Sequence, residues 1–510
     1  MPLKLEINEE FRRAFALVEE GRRHLFVTGN AGTGKSTFLD YCAEQASGNL
    51  VLLAPTGVAA LNIRGQTIHR FFNFPVDVTP DKIMRRQIRP RSKKMFQSLR
   101  TIVIDEASML RADLLDTIDV FLRLYGPSSQ EPFGGIQMVF VGDLCQLPPV
   151  VSPAERGHFS EQYATPYFFS ARVMEEIDLE VVEFNKIYRQ RDRDFIDLLN
   201  RIRENTVTTA DLALLNTRVG LPDQADGLID FPVVLTATNQ LAAAVNRREL
   251  EALPGRLYQH AAEVDGSFET ASFPNDDMLT FKLGAQVMFL NNDAKNRWVN
   301  GSVGRIEAVT ENGGRLKHVK IRLRHNHRAV EVFPYTWELF KYRLENGEIV
   351  SEAVGSFTQF PFRLAWAVTI HKSQGKTFDQ VEIDLGRGSF APGQLYVALS
   401  RAVSFEGIRL SRPVRREDVF TDSRLAAFMA CYNDRPTPEN LKRHLLAQAI
   451  AAQRKVEIIY CKPNREESRR IIVPLSLRGE NLLAFCTQRQ EQRTFSLPRI
   501  RKIFLTPRGT

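Results

Sequence analysis

The sequence predicts an α/β protein with two parallel-sheet domains, and two observations carry this prediction. The first 150 residues alternate apolar, strand-like runs with helical stretches, a pattern typical of a parallel sheet covered by helices on both faces. A second stretch of the same kind begins near residue 181, is interrupted at 301–364 by short alternating runs typical of a small antiparallel barrel, and resumes at 365–433.

Length and composition restrict the class of protein. The chain has 510 residues, of which 43% are apolar and 25% charged, as is ordinary for a globular protein of several domains. No apolar run approaches the roughly 18 residues that a membrane span needs, and the N-terminus lacks the apolar core of a signal peptide. The five cysteines form no CxxC pair, so neither a zinc ribbon nor a disulfide framework is indicated. We therefore expect a cytoplasmic protein with no membrane partner.

Positive charge is concentrated in two segments. The formal net charge is +8, and residues 441–510 hold 15 Lys and Arg against 5 Asp and Glu. A second basic patch, DKIMRRQIRPRSKK, runs from Asp81 to Lys94. Each segment is either a contact for nucleic acid or a solvated surface, and charge alone leaves both interpretations open.

The segment GNAGTGKST fits the GxxxxGK[ST] pattern of a phosphate-binding loop and lies between a predicted strand and a predicted helix. Glycines allow backbone N–H groups to surround phosphate oxygens, the lysine reaches the β- and γ-phosphates, and the next hydroxyl ligates Mg²⁺. The pattern predicts ATP and Mg²⁺ as cofactors, with Ser36 at the metal. The residues expected at the nucleotide are Gly29, Asn30, Ala31, Gly32, Thr33, Gly34, Lys35, Ser36 and Thr37.

Two further strand ends supply the groups that such a site needs. The strand TIVI is followed by Asp105, which suits Mg²⁺ coordination, and by Glu106, which suits a general base that polarises the attacking water. This acidic pair favours a hydrolase over a kinase, which would hold its base near a second substrate. Gln146, after the next strand, is either a sensor of the γ-phosphate or a loop cap.

A second GKT triplet lies in TIHKSQGKTFDQ, at Thr369 to Gln380. A phosphate-binding loop would need a glycine five residues before Gly375, and that position is Ile370. No strand that ends in Asp-Glu accompanies this triplet. We therefore expect one ATP site in the chain rather than two.

Nine segments, taken in order, resemble the motifs of the PIF-type DNA helicases, which are relatives of RecD in superfamily 1B. They are GNAGTGKST, APTGVAALNIRGQTIHRFF, IDEASML, VGDLCQLPPV, YRQ, GAQVM, WVNGSVG, AWAVTIHKSQGKTFD and QLYVALSRA. The segment DLLDTIDVFLR…PFGGIQ also resembles the signature that separates PIF-type proteins from RecD. Together these segments cover roughly residues 5–430.

This resemblance implies two RecA-like domains, at 1–180 and at 181–300 with 365–433, which hold one ATP in the cleft between them. It also implies a small wedge subdomain at about 74–97 and an SH3-like barrel at 301–364. The implied activity is ATP-driven 5′→3′ movement along single-stranded DNA, with unwinding of duplex or structured DNA by a monomer. The implied partners are single-stranded DNA and junctions of single and double strands. A preference for forks, G-quadruplexes or RNA–DNA hybrids stays open.

By position in the resemblance, Arg189 of YRQ and Arg401 of LSRA reach the γ-phosphate from the second domain. A planar cation there stabilises the charge that develops during phosphoryl transfer. Gly375 and Lys376 lie toward the same cleft, and for Lys376 a γ-phosphate contact and simple solvation at a helix start both stay open. Phe11 stands where many relatives carry a glutamine that reads adenine, and it either stacks on the base or lies in the core. The predicted catalytic residues are thus Lys35, Asp105, Glu106, Gln146, Arg189 and Arg401.

The segment APTGVAALNIRGQTIH supplies small residues, hydroxyls and amides after a predicted β-strand. Such groups suit contacts with DNA phosphate and sugar, which position the DNA without reading its sequence. Phe71, Phe72 and Phe74 either stack on bases or lie in the core. The resemblance places residues 371–373 on the DNA backbone and the basic patch at the junction. The residues predicted to contact DNA are Thr56, Gly57, Gln66, Thr67, His69, Phe72, Pro148, Asn291, His371, Lys372 and Ser373.

Residues 455–510, after a linker and helix at 434–454, resemble a WYL domain, a small Sm-like β module of bacterial regulators. Tyr460, RIIVP, LLAFC, Arg489, RTF and RI carry this resemblance, whereas the family's tripeptide is not kept, since Glu480 and Asn481 replace its first two residues. It implies a bacterial source and a tail that binds nucleic acid or a nucleotide ligand; a solubilising appendage is the other interpretation. The residues implied at the ligand are Arg470, Arg489, Arg493 and Arg499.

The sequence leaves one alternative function, a nucleic-acid-binding regulator in which the ATPase is a switch and the tail senses a ligand. The complete set of ATP-site residues, with an arginine pair from the second domain, favours a motor instead. A motor needs ATP hydrolysis that single-stranded DNA stimulates, whereas a switch would hydrolyse ATP slowly and regardless of DNA.

Overall fold

The computed structural model describes residues 7–75, 77–190, 192–220, 232–266, 268, 270–386, 388–422, 424–425, 428, 446, 449–450, 455–461, 467–478 and 481–505. Most of the predicted linker and helix at 434–454 lies outside these residues. The described residues up to Thr421, apart from 157–162, form one compact unit, and residues 157–162 with those from Asp422 onward form another. No helix in the described part is long and apolar enough to cross a membrane.

A six-stranded parallel sheet organises the first α/β domain. Its strands are β1 (His24–Gly29), β2 (Leu50–Ala54), β3 (Gln66–Thr67), β4 (Thr101–Ile104), β5 (Gln137–Val141) and β6 (Leu179–Phe184). They lie in the order β3-β2-β4-β5-β1-β6. Its helices are α1 (Glu9–Glu20), α2 (Lys35–Gln45), α3 (Gly57–Asn62), α4 (Ile68–Phe72), α5 (Pro80–Met84), α6 (Lys93–Ser98) and α7 (Ala112–Tyr125), whereas α8 (Arg156–Gln162) falls almost wholly in the other compact unit. Because β1, β4 and β5 are parallel neighbours, the loops that follow them converge at one edge of the sheet.

The apolar strand runs are buried on both faces, as a parallel sheet requires. Val27, Val103 and Val139, on the three central strands, are all fully buried. Phe11 of α1 lies in the same core, stacked on Phe184 with ring centroids 5.9 Å apart. Of the two interpretations of Phe11, the structure therefore supports the core. β6 ends at Phe184, beyond the predicted boundary of this domain at residue 180.

The second α/β domain is divided by the insert. Its first part comprises α9 (Arg193–Arg203), α10 (Thr209–Asn216), β7 (Val233–Thr236) and α11 (Asn239–Ala252). The insert then contributes β8 (Tyr258–Ala261), β9 (Glu263–Gly266), β10 (Met278–Phe281), β11 (Gln286–Phe289), β12 (Val303–Asn312), β13 (Arg315–Leu323), β14 (Ala329–Val332), β15 (Tyr335–Glu345), β16 (Glu348–Gln359) and β17 (Phe362–Leu364). The chain returns with β18 (Ala367–Thr369), β19 (Val381–Asp384), α12 (Gln394–Leu399) and β20 (Ile408–Leu410). The parallel order β18-β7-β19-β20 confirms that the two parts form one α/β layer.

The insert is antiparallel, as its alternating pattern predicts, but it begins earlier in the chain. Its sheets have the orders β14-β13-β12-β11-β17, β15-β16-β9 and β10-β8, so strands from residue 258 onward take part. The long β15–β16 hairpin reaches the first α/β domain. There the hydroxyl of Tyr342 accepts from the N–H of Leu52 at 2.9 Å and donates to its carbonyl at 3.3 Å, and Asn49 bonds the hairpin backbone at Ile349.

The C-terminal tail is a five-stranded antiparallel sheet. Its strands are β21 (Val456–Cys461), β22 (Glu467–Arg478), β23 (Asn481–Cys486), β24 (Glu491–Ser496) and β25 (Ile500–Leu505), in the order β24-β23-β22-β21-β25. Its core includes Val456, Ile472, Leu482 and Phe495. The predicted small β-rich domain is therefore confirmed.

Candidate functional site

The phosphate-binding loop joins β1 to α2 in the conformation that its glycines allow. Gly32 and Gly34 have φ angles of 85° and 90°, in the left-handed region where a side chain would be strained. The Nζ of Lys35 donates to the carbonyls of Gly29 and Asn30, at 2.7 and 2.9 Å. Lys35 is thus held within the loop, where burial lowers its pKa.

Asp105 and Glu106 follow β4 and lie beside this loop. Burial and, after it, the neighbouring charge of Glu106 together raise the pKa of Asp105 to about 7. Burial also raises the pKa of Glu106, while the positive charges of Lys35 and Arg401 oppose the shift. Glu106 has a φ of 49°, which is uncommon for a residue with a side chain, so the local backbone holds it in a strained conformation.

Gln146 lies in the loop after β5, next to a carboxylate that the sequence did not single out. Its Nε2 donates to Oδ2 of Asp143 at 3.3 Å, and its Oε1 accepts from Gln374 at 3.4 Å. Asp143 is 1% exposed and also pairs with Arg203, at 3.4 Å. Gln146 is therefore part of a buried polar network that reaches the second α/β domain, and its role as a sensor of the γ-phosphate stays a prediction.

Tyr396 of α12 joins this network to the phosphate-binding loop. Its hydroxyl accepts from the N–H of Ala31 at 3.2 Å and donates to Oδ2 of Asp143 at 3.2 Å. Burial and the charge of Asp143 raise the pKa of this hydroxyl, so it stays a donor. Tyr396 and Asp143 both lie inside the quoted motifs, and the position of Asp143 after a strand, like that of Asp105, is the signal that could have pointed to it.

Arg401 lies against the same edge of the cleft. It is 1% exposed, and its guanidinium donates to the carbonyls of Val397 and Lys376, at 2.9 and 3.3 Å. Burial and, after it, the positive charge of Arg189 together lower the pKa of Arg401 to about 9. Arg401 stays cationic at neutral pH. Among the described residues, no carboxylate forms a hydrogen bond or an ion pair with it.

Arg189 packs on the phosphate-binding loop. A Cβ added to Gly32 would lie 2.5 Å from the Cβ of Arg189, so only glycine permits this approach. The guanidinium of Arg189 donates to the carbonyls of Ser400 and Gly375, at 3.2 and 3.4 Å. Arg189 thus joins the phosphate-binding loop to Ser400 and Gly375, and its role at the nucleotide stays a prediction.

The backbone carbonyl and the side chain of Lys376 contact different parts of the protein. Its carbonyl accepts from Arg401, on the nucleotide side, whereas its Nζ lies 3.9 Å from the sulfur of Met288 in the insert. The charges that act on its ammonium are those of Arg363 and Lys372. Its side chain therefore contacts the insert in this structure, and the γ-phosphate contact stays a prediction.

Ser36 and Asp105 suit Mg²⁺ that is bound together with substrate phosphates better than they suit a metal held by protein groups alone. Ser36 presents its side chain to solvent at the start of α2, and Asp105 is a carboxylate across the loop. Among the described residues, no group of three or more His, Cys, Asp or Glu could hold a metal. Mg²⁺ is commonly bound through one or two protein groups together with substrate phosphates and waters, so these two residues suffice.

The residues predicted to contact DNA differ in how deeply their side chains are buried. Thr56 and Thr67 are half-buried and cap α3 and α4, each accepting from a backbone N–H at 3.3 Å. Gln66 is 2% exposed, but its Nε2 has no hydrogen-bond partner, so its amide keeps an open donor. Six other residues lie at partly or fully exposed positions and remain predicted DNA contacts: Gly57, His69, Pro148, Asn291, His371 and Lys372.

Two of the predicted DNA contacts are wrong because their side chains are buried. Phe72 is fully buried and packs against Phe74, Phe96 and Phe121, at centroid distances of 5.1, 5.7 and 5.4 Å. Ser373 is also fully buried, and its hydroxyl donates to the carbonyl of Ile370 at 2.7 Å. Phe72 is a core residue, and Ser373 shapes the turn that presents its neighbours.

The basic patch and the tail present most of their cations to solvent. In the patch, the exposed residues are Arg85, Arg86, Arg89, Arg91, Lys93 and Lys94. In the tail, Arg489 and Arg499 are exposed and Arg493 is half-buried. Arg470 is 9% exposed, and its guanidinium lies 5.9 and 6.0 Å from the ring centroids of Tyr460 and Phe495.

Comparison with protein families identifies two regions. A model described as a PIF1-like helicase matches residues 6–212, and a model of the WYL domain matches residues 443–505. The human ATP-dependent DNA helicase PIF1 is 34% identical over 423 residues, which cover 80% of this chain and 61% of the human protein. The chain thus spans about three fifths of that relative. Pif1 of Bdellovibrio bacteriovorus is 31% identical over 421 residues, covering 80% of this chain and 89% of its own.

Solved structures give the same result. Pif1 of a Bacteroides species, in complex with ADP-AlF4, is 36% identical, with a TM-score of 0.78 over 84% of this chain and 98% of its own. The same Bacteroides protein bound to single-stranded DNA matches with a TM-score of 0.60 at 36% identity, over 84% of this chain and 98% of its own. The predicted architecture of two RecA-like domains with small inserts is therefore confirmed.

Proposed function

Because this chain belongs to the PIF1-like helicase family, we propose that it is an ATP-dependent DNA helicase. It moves along single-stranded DNA in the 5′→3′ direction and separates duplex or structured DNA as it hydrolyses ATP. Bacteroides Pif1, which resembles it over nearly the whole length of the Bacteroides protein, has structures with ADP-AlF4 and with single-stranded DNA, and these support both ligands here.

The observation that carries the proposal is that the two α/β domains meet at one site, where the hydroxyl of Tyr396 from the second domain accepts from the N–H of Ala31 in the phosphate-binding loop at 3.2 Å. Lys35 belongs to the first α/β domain and Arg401 to the second, and both stabilise the ionised form of Glu106. A site divided in this way is complete only when the two domains close on each other. ATP hydrolysis is then tied to relative domain motion, which a motor needs and a small-molecule hydrolase does not.

The groups of the first domain would prepare the attack. Lys35 would exchange the carbonyls of its own loop for the β- and γ-phosphates. Glu106, whose pKa is raised by burial, would accept a proton from the attacking water. Ser36 and Asp105 would hold Mg²⁺, which when bound neutralises phosphate charge.

The groups of the second domain would complete the site. Arg189 and Arg401 would stabilise the negative charge on the oxygens of the transferring phosphoryl group, a role worth roughly 10³–10⁵ in rate in related ATP and GTP sites. Gln146 would bond the γ-phosphate or the water and report its presence through Asp143 and Tyr396.

Unwinding of matched 5′-tailed and 3′-tailed duplexes tests the proposal. We expect unwinding of the 5′-tailed duplex alone, together with ATP hydrolysis that single-stranded DNA stimulates and Lys35→Ala abolishes. Unwinding from 3′ tails alone would contradict the polarity. Slow hydrolysis that ignores DNA, without strand separation, would favour the alternative function, an ATPase switch within a regulator. Unwinding that requires a second subunit would contradict action as a monomer.

For the tail, we propose binding of nucleic acid or a nucleotide ligand through Arg470. This guanidinium is buried against two aromatic rings, and among the described residues no carboxylate pairs with it. Arg469, its neighbour on β22, pairs with Glu457 and is exposed, so Arg469→Gln is a matched control. We expect full-length Arg470→Gln to bind an oligonucleotide or nucleotide more weakly than the control. Equal binding would leave the tail a solubilising appendage.

A further inference from the structure

Three cations gather where β17 meets the motif TIHKSQGKT. Arg363 lies on β17, directly opposite Met288 of β11. The ammonium of Lys376 lies 3.9 Å from the sulfur of the same Met288, and Lys372 lies one turn earlier in the motif. We refer to Arg363, Lys372 and Lys376 as the cation cluster.

The cluster is half-enclosed. A Cβ on Gly301, which has a φ of 97°, would lie 3.2 Å from the Cβ of Lys376, so this turn covers the stem of the lysine. The side chain of Arg363 is 19% exposed. Lys372 is exposed and forms the open side. An anion can therefore approach from solvent and meet cations that are already partly desolvated.

The cluster has little negative charge to balance it. Burial and, after it, the positive charges of Arg363 and Lys372 together lower the pKa of Lys376 to about 7. Asp276 is the one carboxylate that pairs with the cluster in the described part of the chain. It lies 3.7 Å from Arg363 and is 66% exposed, and a pair of that kind contributes little. Three cations held this close with so little opposing charge are unfavourable, unless an anion joins them.

We propose that the cation cluster binds a phosphate of the single-stranded DNA backbone, which makes Arg363 and Lys376 DNA-binding residues in addition to those predicted from the motif. The inference rests on the proposed function, which supplies the ligand. A guanidinium presents paired donors to phosphate oxygens, and two ammonium groups add charge from other directions.

The geometry favours the DNA backbone over the phosphates of ATP. The charged groups that act on Arg401 are Arg189 and residues of the ATP site, whereas those that act on Lys376 are Arg363 and Lys372. The two sets are joined through the backbone, where the carbonyl of Lys376 accepts from Arg401 at 3.3 Å. Through this bond, a shift of Arg401 on nucleotide binding changes the position of Lys376 and therefore the affinity for DNA.

The test uses the full-length protein with Arg363→Gln, Lys376→Gln and the double variant. Arg315→Gln, at the exposed end of the β12–β13 hairpin, removes the same charge elsewhere and serves as the control. Affinity for a fluorescent oligothymidylate is measured by anisotropy between 50 and 300 mM salt, about the range where phosphate contacts dominate. Affinity for a fluorescent ADP analogue is measured in parallel. Thermal melting checks folding, and Lys376→Arg restores the charge.

We expect the double variant to bind the oligonucleotide about 10- to 100-fold more weakly, and the slope of log affinity against log salt to fall by about 0.7 for each phosphate that the variant no longer binds. Lys376→Arg should recover most of this affinity. An equal weakening in Arg315→Gln, or weaker ADP binding with unchanged DNA affinity, would overturn the proposal, and so would unchanged affinity for both. If the wild-type protein does not bind single-stranded DNA, the proposed function fails instead.

Discussion

Replacing Tyr396 with phenylalanine removes one hydroxyl and leaves the buried ring in place. That hydroxyl accepts from Ala31 in the phosphate-binding loop and donates to Asp143, both at 3.2 Å. Asp143 keeps Gln146 and Arg203 as partners, but the N–H of Ala31 is left without the partner that the second domain provides. The change therefore weakens the closed arrangement of the two α/β domains more than either domain alone.

The magnitude follows from the loss of one buried donor. A buried amide that loses its partner costs about 1–3 kcal/mol. If closure precedes hydrolysis, a central cost of about 2 kcal/mol corresponds to a fall of roughly thirtyfold in kcat/KM for ATP. The pKa of Tyr396 is raised, so the hydroxyl is protonated throughout the assay range and no pH dependence is expected from it.

The assay is ATP hydrolysis at saturating single-stranded DNA, with ATP varied. Tyr342→Phe is the matched control, because that hydroxyl also bonds a backbone N–H of the first domain, at Leu52, but lies in the insert hairpin. We expect the control to keep a kcat/KM within about threefold of wild type. A value for Tyr396→Phe within twofold of wild type would refute the reasoning, as would an equal loss in both variants.

Three further predictions address the base, the core and the cation cluster. Glu106→Gln should lower the turnover number for ATP by about 10²–10⁴ and keep nucleotide binding, and retained turnover would exclude Glu106 as the base. Phe72→Ala should lower the free energy of unfolding by about 3–5 kcal/mol in denaturant titrations, whereas a loss of DNA affinity without a loss of stability would restore the stacking interpretation. Affinity for single-stranded DNA should fall as pH rises above about 7, by at most tenfold per unit, because Lys376, with a pKa of about 7, must take up a proton to bind phosphate. Arg363, Lys372 and Asp276 face Lys376 and remain in the variant, so Lys376→Gln should abolish this dependence if Lys376 is its source.

The features that the sequence predicts well are local ones. The loop from Gly29 to Ser36 needs only a strand, a turn and a helix in succession, and spacing alone specifies that geometry. Asp105 and Glu106 could be placed for a similar reason, since the ends of parallel strands meet at one sheet edge. Apolar periodicity likewise identified the parallel sheets and the antiparallel insert.

The features that the sequence left open, or predicted wrongly, depend on contacts between distant residues. Asp143 and Tyr396 are 253 residues apart, and nothing near either residue specifies the bond between them. Phe72 has the same aromatic character whether it faces DNA or lies among three other phenylalanines, and packing decided for the core. The amino-acid sequence by itself determined which groups are predicted to bind phosphate, because backbone geometry holds them within a few residues. Only the tertiary structure decided which side chains are buried, and which cations, such as Arg363 and Lys376, share a site with little opposing charge, because burial and charge are set by every element that packs against them.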